Sequence, residues 1–361
     1  MDTTVYDLKT QFEQAMSLAS ETLARGELVI FPTETVYGIG ADAANAQAVS
    51  KIYEVKGRPS NNPLIAHIWD FSQVREIADQ ISPLAEKLMR AFWPGPFTIV
   101  LHSKGVLPNC VSGGLDTIAV RMPSNLYARE MLRRSGKIVV APSANLSGLP
   151  STTTAQQCLD DFEGKVPVIL DGGPCRVGLE STVCQVTGEI PVILRPGGIT
   201  AEMIEKEAGI VKISHAVLHG VAPGENAPSP GMMYKHYSPK AKVCIVEGSG
   251  EAIANAVKSM YDKEEKSARK PCVFCAADRA AVYGGRRVRS LGDTPEDVAR
   301  LLFSALREAD KQGIDSIYFE GVEHTGIGLA IANRIIRAAG FDVVNADKED
   351  EIEKHIAGMH G

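Results

Sequence analysis

The 361-residue sequence contains no apolar run approaching the length of a membrane span. Its opening residues, Met1 to Leu8, carry two aspartates and no apolar core of the length a signal peptide needs. Both absences lead to the expectation of a cytoplasmic protein that does not engage a membrane. An excess of positive charge is also missing. The formal net charge is -6 and the pI about 5.8, which argues against broad nucleic-acid contact, because that affinity rests on neutralised phosphates. A local basic pocket stays open. The seven cysteines are odd in number and thinly spread, the pattern of reduced thiols rather than a disulfide framework. Only Cys272 and Cys275 form a CxxC, and zinc frames need a second pair or nearby histidines. There is no Gly-x4-Gly-Lys-[Ser/Thr] loop, no Gly-x-Ser-x-Gly elbow and no internal repeat.

What is present is an ordinary globular composition, 44% hydrophobic and 23% charged, in a chain long enough for two or three domains. Residues 8–25 show helical spacing (Leu8, Phe12, Met16, Ala19, Leu23) and stop at Gly26. Strands are expected over 28–31, 63–68, 97–101, 117–121, 138–141, 166–170, 182–186 and 192–194, and in the second domain over 242–246, 273–275 (within the strand-like 271–276) and 316–320, with helices over 251–261, 296–309 and 329–339. Ser82-Pro83 reads as a capped helix start. Helices and strands alternate, but the late strands crowd together, so the fold class is α/β with a mixed sheet. Residues 222–239 are rich in Pro, Gly, Ser and Asn, as linkers are. They also hold Met232, Met233, Tyr234, His236 and Tyr237, too apolar for a solvated tether. The segment is therefore expected to fold over the pocket of the first domain, with Tyr234 near a nucleotide. The expected domains are 8–209, a linker over 210–240, and a second α/β domain over 241–361.

Three segments carry chemistry. In Phe31-Pro-Thr-Glu-Thr-Val-Tyr-Gly-Ile-Gly-Ala-Asp42, an apolar strand runs into hydroxyls, a carboxylate and glycines, as at the ligand-facing end of an α/β sheet. A strand followed by an ordinary turn would read the same way. Lys56-Gly-Arg58 places two cations on a tight loop, suited to a polyphosphate, or simply to the negative end of a helix dipole. In Val139-Val-Ala-Pro-Ser-Ala-Asn-Leu-Ser-Gly148, Ser143 and Asn145 suit phosphate oxygens, helped by backbone N–H groups at a turn or helix start. Ser143 could equally just cap a helix. His67 falls in a strand, where a lone histidine is more often packed than ligating. Gly326-Ile-Gly328 mimics a dinucleotide fingerprint but lacks its third glycine and acidic partner.

Taken in order, Pro32–Gly38, Lys56–Arg58 with Asn62–Leu64, Trp93–Thr98, Val120–Pro123, Ala141–Gly148, Gly178–Thr182 and Arg195–Gly197 resemble the YrdC/Sua5 family, the threonylcarbamoyl-AMP synthases. Ser229–Pro239 resembles the segment that marks the longer, Sua5-type members. The resemblance implies a YrdC-like twisted mixed sheet with helices, joined by a linker to a smaller Rossmann-like domain. It implies formation of threonylcarbamoyl-adenylate and pyrophosphate from L-threonine, bicarbonate and ATP, with Mg²⁺. A separate transferase would then modify tRNA, so tRNA is only an indirect partner. Carried over by motif, Lys56 and Arg58 are the catalytic cations. With Asn62, Thr117, Ser143, Asn145, Ser151, Arg195 and Tyr234 they bind ATP. Thr35, His67, Arg121, Ala141 and Ser181 bind threonine, Arg121 pairing its carboxylate. No metal ligands are implied. A non-catalytic RNA-binding module and a carbamoyltransferase are the alternative readings of such a domain.

Overall fold

The computed structural model describes residues 2–219 and 236–358. Two compact units divide the chain, the first built on Met1–Ser147 and Ser151–Tyr234, the second on Gly148–Pro150 and Lys235–Gly361.

The first unit holds a 12-stranded mixed sheet. Across it the strands run Thr4–Asp7, Val168–Asp171, Val29–Phe31, Gly38–Asp42, Val139–Val140, Ile65–His67, Thr117–Arg121, Phe97–Ser103, Thr182–Gln185, Val192–Arg195 and Lys212–Ile213, with Ala78–Asp79 pairing off the path. The first strand was not anticipated. Thr4–Asp7 pairs in parallel with Val168–Asp171, so the expected helix over 8–25 is shorter, Phe12–Ala24. Leu8 is buried in the turn before it, and the helix's Ala15, Met16, Ala19 and Leu23 join it against the sheet. The C-terminal stop at Gly26 is as expected, with φ +72°. Ser82 caps its helix as expected, its hydroxyl accepting from Ala85 N at 3.1 Å.

The larger miss is Gly38–Asp42, a fully buried strand antiparallel to Val29–Phe31, where the sequence suggested a ligand-facing turn. Its glycines hid it, since glycine weakens strand propensity. They are there for close approach: a Cβ on Gly40 would lie 2.6 Å from Val139 Cγ1 and 2.9 Å from the Phe31 ring. The helix Ala46–Lys56 follows. Asn45 caps it through Gln47 N and Ala48 N, and Gly57, with φ +62°, ends it, so Lys56 and Arg58 sit where helix gives way to loop.

The second unit is an all-parallel sheet, in the order Val288–Ser290, Pro271–Cys275, Ser316–Glu320, Lys242–Glu247 and Val343–Asn345. Its two outer strands and the helix Glu349–Gly358 were not anticipated. Cys272 and Cys275 lie in a strand as expected and are buried, unbridged thiols. Burial pushes them up to about 11 and about 12 respectively. Among the described residues, no helix is long and apolar enough to cross a membrane.

Candidate active site

The three chemistry-bearing segments meet in the first unit. The strand Gly38–Asp42 makes a bridge from Gly38 to Ser143. Ala144 N donates to Tyr37 O at 2.8 Å, and Ile39 N to Pro142 O at 3.1 Å. Lys56 ties in the remaining segment. It is buried, and its ammonium donates to the carbonyls of Ser143, at 2.6 Å, and Asn145. Ser147 N returns a bond to Lys56 O at 2.8 Å. A buried cation is thus held by backbone oxygens beside the two side chains expected to meet phosphate.

No helix starts at Ser143. The next helix is Ala155–Phe162, capped by Thr154, and the Ser143 hydroxyl instead donates to Asn145 Oδ1 at 2.5 Å. The expected help from backbone N–H groups is also reduced. Those of Ala144, Leu146 and Ser147 already bond to Tyr37 O, Asp161 Oδ2 and Lys56 O. Arg58 is half-buried and donates to the carbonyls of Asn62 and Pro63. Asn62 is buried, with its Oδ1 unpartnered, a group that a ligand or water would satisfy. Ser151, also buried, gives its hydroxyl to the Glu180 carboxylate.

Neighbouring strands set out the second group in a row. His67 and Thr98 are the Cα partners of Arg121 on either side. Arg121 Nη1 donates to Thr35 Oγ1 at 2.9 Å and Nη2 to Glu34 Oε1 at 2.7 Å, with Arg121 and Glu34 each only 4% exposed. Thr98 Oγ1 lies 2.7 Å from Ser181 Oγ, and Arg195 Nη2 donates to Ser181 O at 3.0 Å. Ala141 N bonds Ile65 O at 3.0 Å, placing that backbone beside the row. Thr35, His67, Arg121 and Ser181 are thereby gathered as expected. Thr117 is not among them. It begins the strand that Arg121 ends, about 13 Å away at the usual rise. Thr117 therefore stands at one end of its strand, and Arg121, with His67 beside it, at the other. Tyr234 and most of the linker lie outside the described residues.

Charge in the row is arranged without a base. Burial, aided by the Arg121 cation, pushes His67 down to about 3, so the imidazole is neutral. Its Nδ1 lies 3.0 Å from Ile65 O, which can only accept, so that nitrogen carries the proton. Burial alone would raise Glu34, but the charge and hydrogen bond of Arg121 hold it below the usual carboxylate range. Sequence reasoning passed over Glu34, Thr98 and Glu180. Each sits inside a quoted motif, and the available signal was a polar side chain in an otherwise buried strand or strand end.

Residues 21–197 match the Sua5_yciO_yrdC family model, described as "Telomere recombination". Residues 199–340 match the model described as "Threonylcarbamoyl-AMP synthase, C-terminal domain". The threonylcarbamoyl-AMP synthase of Pyrococcus abyssi is 43% identical over 343 residues, spanning 95% of this chain and 99% of that one. The one from Bacillus subtilis is 44% identical over 330 residues, 90% and 93% of the two chains. The structure of P. abyssi Sua5 complexed with L-threonine matches with a TM-score of 0.90 at 43% identity, covering 95% and 99%.

Proposed function

The chain belongs to the Sua5/YrdC family, and from that premise we propose that it is a threonylcarbamoyl-AMP synthase acting on L-threonine, bicarbonate and ATP. The observation that carries this reading is a pair of side-chain groups in the first unit. Lys56, which holds the loop of Ser143 and Asn145, with Arg58 and Asn62 on the loop after it, suits a polyphosphate, and the row of Thr35, His67, Arg121 and Ser181 suits an amino acid.

In the proposed reaction, Arg121 receives the threonine carboxylate, as a guanidinium suits a carboxylate fork. The threonine amine adds to the bicarbonate carbon and water is lost, giving a carbamate. A carbamate oxygen then attacks the α-phosphorus of ATP, and the bond to pyrophosphate breaks. Lys56 and Arg58 offset the charge that builds on the phosphates, with Ser143 and Asn145 lining their path, while Arg195 and Ser151, bonded to Ser181 and its neighbour Glu180, would meet the α-phosphate beside the amino-acid row. His67, pushed down to about 3, is too weakly basic to take up a proton near neutral pH, and the Glu34 carboxylate is committed to Arg121, so neither acts as the base. Rate then comes from positioning and charge neutralisation. Mg²⁺ enters as part of the MgATP substrate. Among the described residues, the group of three ligand-type side chains close enough for a metal, Cys244, Asp342 and His355, lies in the second unit, so Mg²⁺ would ride on the phosphates, as it commonly does. The adenylate is then passed to a transferase that acts on tRNA.

The test is pyrophosphate release from ATP, with threonine and bicarbonate each omitted in turn. Release should need both. Release that ignores threonine sinks the assignment, and tight, salt-sensitive RNA binding without turnover favours the binding-module reading.

A further inference from the structure

We infer that Glu34 is the positioning residue of the amino-acid site: it fixes the rotation of the Arg121 guanidinium so that two N–H groups are left aimed at one incoming carboxylate. The inference rests on the reading of Arg121 as the partner of the threonine carboxylate, and adds a residue to which no role has been given.

The argument is a count of donors. A guanidinium has five N–H groups, one on Nε and two on each Nη. Nε donates to Gly95 O at 3.3 Å, Nη1 to Thr35 Oγ1 at 2.9 Å, and Nη2 to Glu34 Oε1 at 2.7 Å. That leaves one N–H on Nη1 and one on Nη2, enough for a two-point contact with a carboxylate. Two of the anchors, Glu34 and Thr35, are consecutive in the chain and the third, Gly95, comes from another segment, so the planar group is held from two sides and cannot turn without breaking a bond. Glu34 makes the shortest of the three bonds and is itself fixed. Its Oε2 accepts from Asn125 N at 3.3 Å, and its carbonyl from Val177 N at 2.8 Å. Asn125 is also the cap of the helix Leu126–Ser135, so Glu34 links the site to a rigid element. Without it, the guanidinium would gain a rotational freedom that substrate binding would have to remove.

Placement and charge separate in two variants. Glu34→Asp keeps the charge but draws the oxygen back by one methylene, away from Nη2. Glu34→Gln keeps an oxygen in place but removes the charge. Steady-state pyrophosphate release would be measured for both, varying threonine and ATP separately, with thermal unfolding alongside. Expected for Glu34→Asp is a folded protein whose threonine KM rises by about tenfold while its ATP KM stays within about twofold. Glu34→Gln should recover most of that loss, with a threonine KM at least about fivefold below that of Glu34→Asp. The inference is overturned if Glu34→Asp leaves the threonine KM unchanged, if both KM values rise together, or if Glu34→Gln is no better than Glu34→Asp. The Glu34→Asp arm decides alone should Glu34→Gln not fold. Arg121→Lys separates the two levels of argument. If it leaves the threonine KM unchanged, the underlying site reading fails. If it raises that KM while Glu34→Asp does not, only the role of Glu34 fails.

Discussion

Replacing Lys56 by Met removes a charge while roughly keeping the length of the side chain, and its consequences should divide into two parts. The first is structural. The ammonium makes two charge-assisted bonds, to the carbonyls of Ser143 and Asn145, and both acceptors belong to the loop that carries the proposed phosphate ligands. Bonds of this kind are worth about 1.5–3 kcal/mol each, so the variant should lose roughly 3–6 kcal/mol of stability, read as a lower urea midpoint. The second part is catalytic. Loss of a cation beside the pyrophosphate leaving group should cost about 2–4 kcal/mol of transition-state stabilisation, roughly 30- to 1,000-fold in turnover, as at other preorganised electrostatic sites. Arg58→Met is the internal control. Arg58 is half-buried where Lys56 is fully buried, so its loss should lower turnover with a smaller change in the urea midpoint. Pyrophosphate release and urea unfolding on the same preparations measure both parts. A Lys56→Met protein with wild-type stability and wild-type turnover refutes the reasoning. So does one that loses stability but, when folded, turns over normally.

Other perturbations test the amino-acid site and the packing behind it. Calorimetry should show threonine preferred over serine by about 1–3 kcal/mol, the worth of one methyl group in a pocket; equal affinity for threonine, serine and alanine removes the case for a dedicated pocket. Because His67 has a folded pKa of about 3, below its unfolded value, the unfolded chain binds the extra proton. Its stabilising contribution is therefore complete above about pH 6.5 and is lost as pH falls from there towards 3. A His67→Gln variant should flatten the urea stability profile between pH 4 and 6.5, and an unchanged slope counts against a buried neutral imidazole. The lowered Glu34 pKa acts in a more acidic window, its contribution being lost only as pH falls below about 4.5. Gly40→Ala should destabilise by about 1–3 kcal/mol, because its Cβ would press on Val139 Cγ1 at 2.6 Å and on the Phe31 ring; a neutral outcome in urea unfolding would mean that the strand pair yields more easily than its packing implies.

The parts of the fold legible in the sequence were those with a local signal. Ser82 with Pro83, Gly26 and the run Ser316–Glu320 behave as their residue types require. Thr4–Asp7 and Val343–Asn345 were not legible, because each is a short edge strand defined by a distant partner: Val168–Asp171 for the first, Ile245–Glu247 for the second. Gly38–Asp42 was hidden for another reason. Its glycines are chosen by the clearance from Val139 and Phe31, a tertiary demand that overrides strand propensity. At Ser143, where a turn or a helix start was open, the chain makes an irregular loop whose carbonyls a cation from another segment, Lys56, holds.

The candidate site was legible as a set of motifs but not as an arrangement. The resemblance assigned Asn62 and Thr117 to ATP and His67 and Arg121 to threonine and said nothing of the distances among them. The register puts His67 directly beside Arg121, and the strand Thr117–Arg121 sets Thr117 about 13 Å from Arg121. Two residues of the site were passed over. Glu34 anchors the Arg121 guanidinium, and Glu180, next in the chain to Ser181, takes the hydroxyl of Ser151. Both are carboxylates inside a proposed anion-binding site, where charge alone argues against them. Their place becomes intelligible once each is seen to be committed to a donor of the site itself, so that it shapes the pocket instead of repelling what enters it.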